Sequence, residues 1–254
     1  MTHHQLTVSR TTLSQCMKDN HFVGYIKQKK PGLSAKQKFA RFLQARTWLE
    51  SRTSNWRHVV FSDETTLFSC ATGHKHYVYL PRFSPFDERR MQPTQPFGGE
   101  SLHLWAAICP DGVLAWKIYE GALTAARYRT ILNTVMYPRA EGLFEHDEWI
   151  YQQDGASWHT AHIVDEWFVA KGVTTLPWPS HSPDLNPIEN FWSAVDEELA
   201  TGPAPASQDA LRLRVADILD NFSARHPTYF NNLYSSMHTR LSAVVAAGGL
   251  PTAY

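Results

Sequence analysis

Residues 178–192 read WPSHSPDLNPIENFW. Pro179 and Pro183 stiffen an extended approach, and the chain then turns helical at Asn186. Asparagine is a good N-cap, and Pro187 suits the first helical position, where its missing N–H costs nothing. From there Ile188, Phe191, Trp192, Val195 and Leu199 recur at helical spacing, so one face is apolar and is predicted to bury against a core. Glu189 sits beside that face at the third helical position. A glutamate there can reach back to the N-cap backbone as half of a capping box, or it can face a site, and the rest of the chain has to decide.

Upstream, VTTLPW (173–178) reads as a short strand. Before it lies a helix with Ala161, Val164 and Phe168 on one side, Lys171 in its last turn and Gly172 placed to close it. WIYQQD (149–154) is a strand ending in Asp154, and LTAARYRTILNTVMYPR (123–139) is an amphipathic helix. SLHLWAAIC and VLAWKIYEG flank Pro110-Asp111-Gly112, a good hairpin signal. HVVFSD (58–63) is a strand with Asp63 at or near its carboxyl end. A longer helix, roughly Ser34 to Arg52, precedes it with Phe39, Phe42, Leu43 and Leu49 as its apolar stripe. Residues 70–100, irregular and rich in Pro, Gly and Arg, are long enough to be a functional insertion. Downstream, a Pro- and Ala-rich break at 202–207 precedes one or two further helices. This element order predicts an α/β fold on a mixed sheet.

At 254 residues, 43% hydrophobic and 13% aromatic, the chain can bury a substantial core. It has no run of about 18 apolar residues, and the start MTHHQLTVSR lacks the apolar segment of a signal peptide, so neither membrane nor secretory pathway is implied. Cys16, Cys70 and Cys109 lie far apart with no CxxC pairing, which argues for a reducing compartment and against a zinc ribbon or disulfide framework. The net charge of zero hides two unlike parts: residues 1–60 carry eleven Lys and Arg against Asp19 and Glu50, a net +9, and the remainder carries −9. VSRTTLSQCMKDN reads as a short helix with Ser9 as N-cap, bearing Arg10, Thr12 and Lys18; GYIKQKKPG is a basic linker with Lys27, Lys29 and Lys30. A basic arm on an acidic body suits a protein that grips phosphate with one part and concentrates metal ions with the other.

Three carboxylates stand out by position: Asp63 and Asp154 at strand ends and Glu189 opening a helix. In open α/β sheets, sites form at the carboxyl edge of the strands. Acidic side chains converging there suit hard divalent cations, which take a few carboxylates, waters and substrate phosphate, the arrangement for two-metal phosphoryl transfer.

The runs VVFSDE, YQQDGASWHTA and WPSHSPDLNPIENFW resemble the three catalytic blocks of the Tc/mariner superfamily of DDE transposases. Thirty-four residues separate Asp154 from Glu189, the interval of the Tc branch. The likeness extends from VSRTTLSQ, which looks like the recognition helix of the family's second helix-turn-helix, to the end of the chain. It implies a ribonuclease-H-like fold, a mixed five-stranded sheet flanked by helices, with a short helical basic N-terminal arm. By the same likeness, residues 1–33 are a remnant of the second helix-turn-helix plus linker and residues 34–254 the catalytic domain. Asp63, Asp154 and Glu189 would hold two Mg²⁺ ions, with Mn²⁺ able to substitute. One ion would activate water or a DNA 3′-hydroxyl and the other stabilise the leaving oxygen. The implied substrate is double-stranded DNA at transposon inverted repeats, integrated at TA dinucleotides, whose pyrimidine–purine step is cheap to distort; the implied compartment is the nucleus. Arg10, Thr12, Lys18, Lys27, Lys29, Lys30 and His159 form the expected DNA-contacting set, with His159 meeting phosphate, ordering the site or serving only as a structural residue at a helix start. The 70–100 insertion resembles the region from which relatives build a clamp onto a second subunit, implying a homodimer. Trp105, Trp116, Trp167 and Trp192 read as core, Trp158 as packing, and His162 as weak evidence for zinc.

The likeness breaks in two places. Gly155 and Ser157 stand where the family has asparagine and proline, which is expected to loosen the loop carrying Asp154. The front has room for less than one helix-turn-helix, which predicts weak, salt-sensitive, mostly non-specific DNA binding driven by Lys27 to Arg57. The rival reading is a non-catalytic transposase remnant serving as a DNA- or protein-binding module.

Overall fold

Val59, Val60, Phe61 and Ser62 are all buried, so strand β1 (Val59–Phe68) begins with both faces covered and occupies the middle of the sheet. In the computed structural model, residues 33–51, 56–69, 100–145 and 147–254 are described. Arg10, Thr12, Lys18, Lys27, Lys29, Lys30 and the 70–99 part of the insertion lie outside the described residues. Leu33–Tyr254 form one compact unit.

β1 pairs antiparallel with β2 (Ser101–Cys109), which pairs antiparallel with β3 (Gly112–Tyr119) across the Pro110-Asp111 turn. On its other side β1 runs parallel to β4 (Ile150–Gln152), and β4 to the two-residue β5 (Thr174–Thr175). The order β3-β2-β1-β4-β5 is the mixed five-stranded sheet expected. Asp63, expected at or near the carboxyl end of its strand, is in the middle of β1. The parallel ladder with β4 stops at Phe61↔Gln152, but β2 keeps pairing as far as Phe68↔Ser101 and holds the strand extended. Asp63 therefore lies two residues past the end of the parallel ladder, at the same edge as the residues following β4.

Side chains alternate between the two faces with period two. Val59, Phe61, Leu102, Leu104, Ala106 and Ile108 meet helices α5 (Ile188–Ala200) and α6 (Gln208–Arg225). Val60, Trp105, Ala107, Ala115 and Tyr151 meet helices α2 (Ala125–Ile131), α3 (Tyr137–Phe144) and α4 (His162–Lys171). The α5 face buries Ile188, Phe191, Trp192, Val195 and Leu199, the five residues read from the sequence. Each such side chain contributes roughly 1.5–3 kcal/mol of hydrophobic burial before its ordering entropy is set against it. Gly172 closes α4 in the left-handed conformation, φ 67°. Trp105, Trp167 and Trp192 are core; Trp116 is half-buried and donates to Asp220 at 2.9 Å.

Two helices depart from expectation. The single helix read over 123–139 is α2 and α3 joined by a π turn, Leu132–Met136. Pro138 has no N–H to give to a carbonyl one turn back, so the ladder widens just ahead of it. Helix α1 (Ala35–Glu50) starts with a full capping box between Ser34 and Gln37, but its buried face is Arg41, Ala45 and Trp48. Phe39 and Leu43, expected in the apolar stripe, are 65% and 51% exposed. The helix is turned by Arg41, wholly buried and forked onto Asp184 at 2.7 and 2.8 Å. Two short helices, α7 (Tyr229–Ser235) and α8 (Met237–Ala246), follow α6, so three helices stand after the 202–207 break where one or two were expected, and α8 packs on α1. No helix among the described residues is long and apolar enough to cross a membrane.

Candidate active site

Asp63 and Glu64 are consecutive in β1 and so point to opposite faces of the sheet. Asp63 faces α5, where Asn186 organises the contact. Its Nδ2 donates to the Ser62 carbonyl at 3.3 Å, and its Oδ1 accepts from Ile188 N at 3.3 Å. One buried side chain thus caps α5 and fastens its first turn beside Asp63. The Asn186 N–H goes to the Pro183 carbonyl at 2.9 Å, so the capping-box role is already filled and Glu189 is left to face the cavity. Asp154 comes from the loop two residues beyond β4.

Asp63, Asp154 and Glu189 line one cavity of about 320 Å³, walled on its far side by residues 178–183. Among the described residues, no three His, Cys, Asp or Glu are gathered tightly enough to hold an ion as they stand. The three carboxylates face one another across the cavity and feel one another electrostatically. Burial and then Glu189 push the Asp63 carboxyl up to about 8, against the bond it accepts from Glu64 N. Glu189 is raised by burial and then by Asp154. Asp154 is instead lowered, chiefly by its hydrogen bond with His159.

His159 is 2% exposed, with Nδ1 2.6 Å from Asp154 Oδ1 and Nε2 3.1 Å from Glu64 Oε1. Burial pulls its pKa down, but the two carboxylates outweigh that and raise it to about 9. Trp158 Nε1 also lies 3.1 Å from His159 Nε2 and could donate only to a neutral ring. The two carboxylates favour the imidazolium, which donates to both, with the indole packed alongside. Of the roles expected for His159, this burial and the bond to Asp154 suit ordering the site. The loosening expected from Gly155 and Ser157 is opposed by Ala156 N donating to Asp154 Oδ1 at 3.0 Å and by His159 N donating to the Ala156 carbonyl at 3.0 Å. His162 is 84% exposed and paired at most with Glu166, 3.4 Å away.

The wall at 178–187 is anchored from outside. Asp184 takes the Arg41 fork and also accepts from Thr252 N and Oγ1, both at 2.9 Å. Arg41 Nη1 also donates to the carbonyl of His181, which lines the cavity at φ 56°, a left-handed conformation that few non-glycine residues adopt. Arg240 donates to the Asp184 carbonyl at 3.1 Å and to Asn190 Oδ1 at 2.6 Å. Sequence reasoning missed Glu64, Asn186 as a bridge, and Arg41. Only Glu64 left a signal, since strict alternation along VVFSDE puts it opposite Asp63.

The profile described as DDE superfamily endonuclease matches residues 58–212, which span all three carboxylates. The chain belongs to this family. Within it, the chain is 30% identical over 247 residues to the transposable element Tcb1 transposase of Caenorhabditis briggsae, covering 97% of this chain and 88% of that protein. It is 29% identical over 226 residues to the transposable element Tc1 transposase of Caenorhabditis elegans, covering 89% and 81%. These relatives place it on the Tc side of the DDE transposases, as the three sequence blocks imply. Among solved structures, the Mos1 mariner paired end complex with Mg aligns over 96% of this chain and 72% of that one, with TM-score 0.79 and 20% identity. The catalytic domain of Mos1 mariner transposase aligns over 89% and 100%, with TM-score 0.68 and 19% identity. At that identity the likeness concerns the fold, which is ribonuclease-H-like.

Proposed function

We propose that this DDE enzyme is the catalytic domain of a DNA transposase that cleaves phosphodiester bonds at transposon inverted-repeat ends and joins the freed 3′ ends to TA target sites. The observation carrying the reading is the meeting of Asp63, Asp154 and Glu189 on one cavity from a strand, a loop and a helix start. The donor chemistry fits hard divalent cations. All three ligands are carboxylates, and two of them are raised by burial and mutual repulsion, which a cation would relieve. The Mos1 transposase catalytic domain, which shares this fold, is known in structures with Mg and with Mn. Two Mg²⁺ or Mn²⁺ ions held there would supply the Lewis acidity that generates a nucleophile from water or a 3′-hydroxyl and offsets charge on the leaving oxygen.

The chain's own residues have separable tasks. Asp154, kept ionised by His159, holds its charge throughout the neutral range. Asp63, raised by burial and by Glu189, would have to release its proton for an ion to be held there, which would couple metal affinity to pH. Asn186 holds Glu189 and Asp63 in register. In this reading residues 34–254 form the catalytic domain and residues 1–33, with Arg10, Thr12, Lys18, Lys27, Lys29 and Lys30, form a basic DNA-gripping arm. The 70–100 insertion serves pairing of two copies on the DNA, and the work is done in the nucleus.

The test is nicking of supercoiled DNA bearing inverted repeats in Mg²⁺ or Mn²⁺. Cleavage by the wild type that Asp154→Asn abolishes supports the reading. DNA and metal binding without cleavage would reassign the chain as a binding module.

A further inference from the structure

β1 sends one carboxylate to each face of the sheet, and the second, Glu64, closes the VVFSDE run without being one of the three carboxylates expected to hold metal. Glu64 is 14% exposed and held in a strand paired on both sides of the sheet's centre, Glu64 itself opposite Trp105. Its Oε1 lies 3.1 Å from His159 Nε2, and His159 Nδ1 lies 2.6 Å from Asp154 Oδ1. The ring packs on Tyr128, centroids 4.3 Å apart. Tyr128 donates to Gln153 Oε1 at 2.8 Å, and Gln153 Nε2 donates to the His159 carbonyl at 3.1 Å, so backbone and ring of His159 are both held. Asp154 needs such support: it is 54% exposed and sits on a loop. Its Oδ1 takes the bonds from His159 and Ala156 N, which leaves Oδ2 to the cavity that Asp154 lines.

We infer that Glu64 is a positioning residue: it fixes the His159 imidazole, and His159 in turn fixes Asp154 with one oxygen committed and the other presented to the cavity. The dipeptide Asp63-Glu64 would then set two of the three carboxylates, one directly and one through a ring. Such carboxylate–histidine support behind a ligand is a general way of orienting donors around a metal. The inference rests on the proposed role of Asp154 as a metal ligand.

Mn²⁺ binding to the full chain, read by electron paramagnetic resonance, tests it alongside the ¹⁵N and ¹H resonances of the His159 ring. Glu64→Ala is expected to weaken Mn²⁺ binding by about tenfold, the low end for loss of an outer-shell partner, and to shift and broaden the His159 Nδ1–H signal. Glu64→Gln, which keeps an oxygen acceptor for Nε2, is expected to recover most of both. In a His159→Ala background, Glu64→Ala is expected to have no further effect, because Glu64 acts through the ring. Removing the exposed Glu120 carboxylate by Glu120→Ala controls for charge alone and leaves binding unchanged. An unchanged His159 resonance in Glu64→Ala, or the same tenfold loss with and without His159, overturns the inference. Mn²⁺ binding that Asp154→Asn leaves untouched would instead bring down the functional reading beneath it.

Discussion

Asp63→Asn removes the charge that the site holds at a disadvantage, so it is expected to stabilise the metal-free protein. A carboxyl whose folded pKa is raised favours the folded state at low pH, and that advantage is lost as pH climbs from the unfolded value to the folded one. For Asp63 the window runs from 3.8 to about 8. One pKa unit corresponds to about 1.4 kcal/mol, which puts the ceiling near 6 kcal/mol at pH 8.5. The cavity is open, and water screens part of this, so a gain of about 1–2 kcal/mol is expected. Asparagine keeps the oxygen that accepts from Glu64 N. The assay is urea unfolding in EDTA at pH 5 and pH 8.5, comparing wild type with Asp63→Asn. The gain should be small at pH 5 and largest at pH 8.5, and saturating Mg²⁺ should reverse the order by stabilising only the wild type. A variant less stable than wild type at pH 8.5 in EDTA, or a difference that does not change with pH, would mean that Asp63 is not held at a disadvantage when ionised.

Arg41→Met leaves Asp184 buried and unpaired, and a loss of about 3–5 kcal/mol is expected in denaturant unfolding, with Arg41→Met/Asp184→Leu recovering part of it. Trp48→Ala is expected to cost about 3–5 kcal/mol, whereas Phe39→Glu and Leu43→Glu stay within about 0.5 kcal/mol, a contrast thermal unfolding reads directly. Asn186→Ala removes the Ser62 and Ile188 bonds together, and a loss of about 1–2 kcal/mol with weaker Mn²⁺ binding is expected by denaturation and titration. Calorimetry at pH 7 in buffers of differing ionisation heat should show proton release on metal binding, the Asp63 proton leaving as the ion arrives.

What the sequence disclosed was local. The Asn186 cap and the α5 face were legible because Ile188, Phe191, Trp192, Val195 and Leu199 repeat without interruption. The hairpin was legible because Pro110-Asp111-Gly112 breaks two dense apolar runs. What stayed hidden depends on distant partners. The α1 face could not be read because a buried arginine meets Asp184, 143 residues away, and that pair outweighs the pull of Phe39 and Leu43. The length of β1 could not be read because β2 lies beyond a long insertion. At the site, Asp63, Asp154 and Glu189 were marked by position, while alternation placed Glu64 on the opposite face without naming its partner: beside an aspartate at a strand edge, a glutamate reads as solvent-facing charge. Only the far layer, with Tyr128 and His159, shows what it holds.

The most direct measurement is a crystal structure of the protein with Mn²⁺, read by anomalous difference density. Two peaks are expected in the 320 Å³ cavity, bracketed by carboxylate oxygens of Asp63, Asp154 and Glu189. Density bound elsewhere, or ions that leave any of the three carboxylates unused, would contradict it.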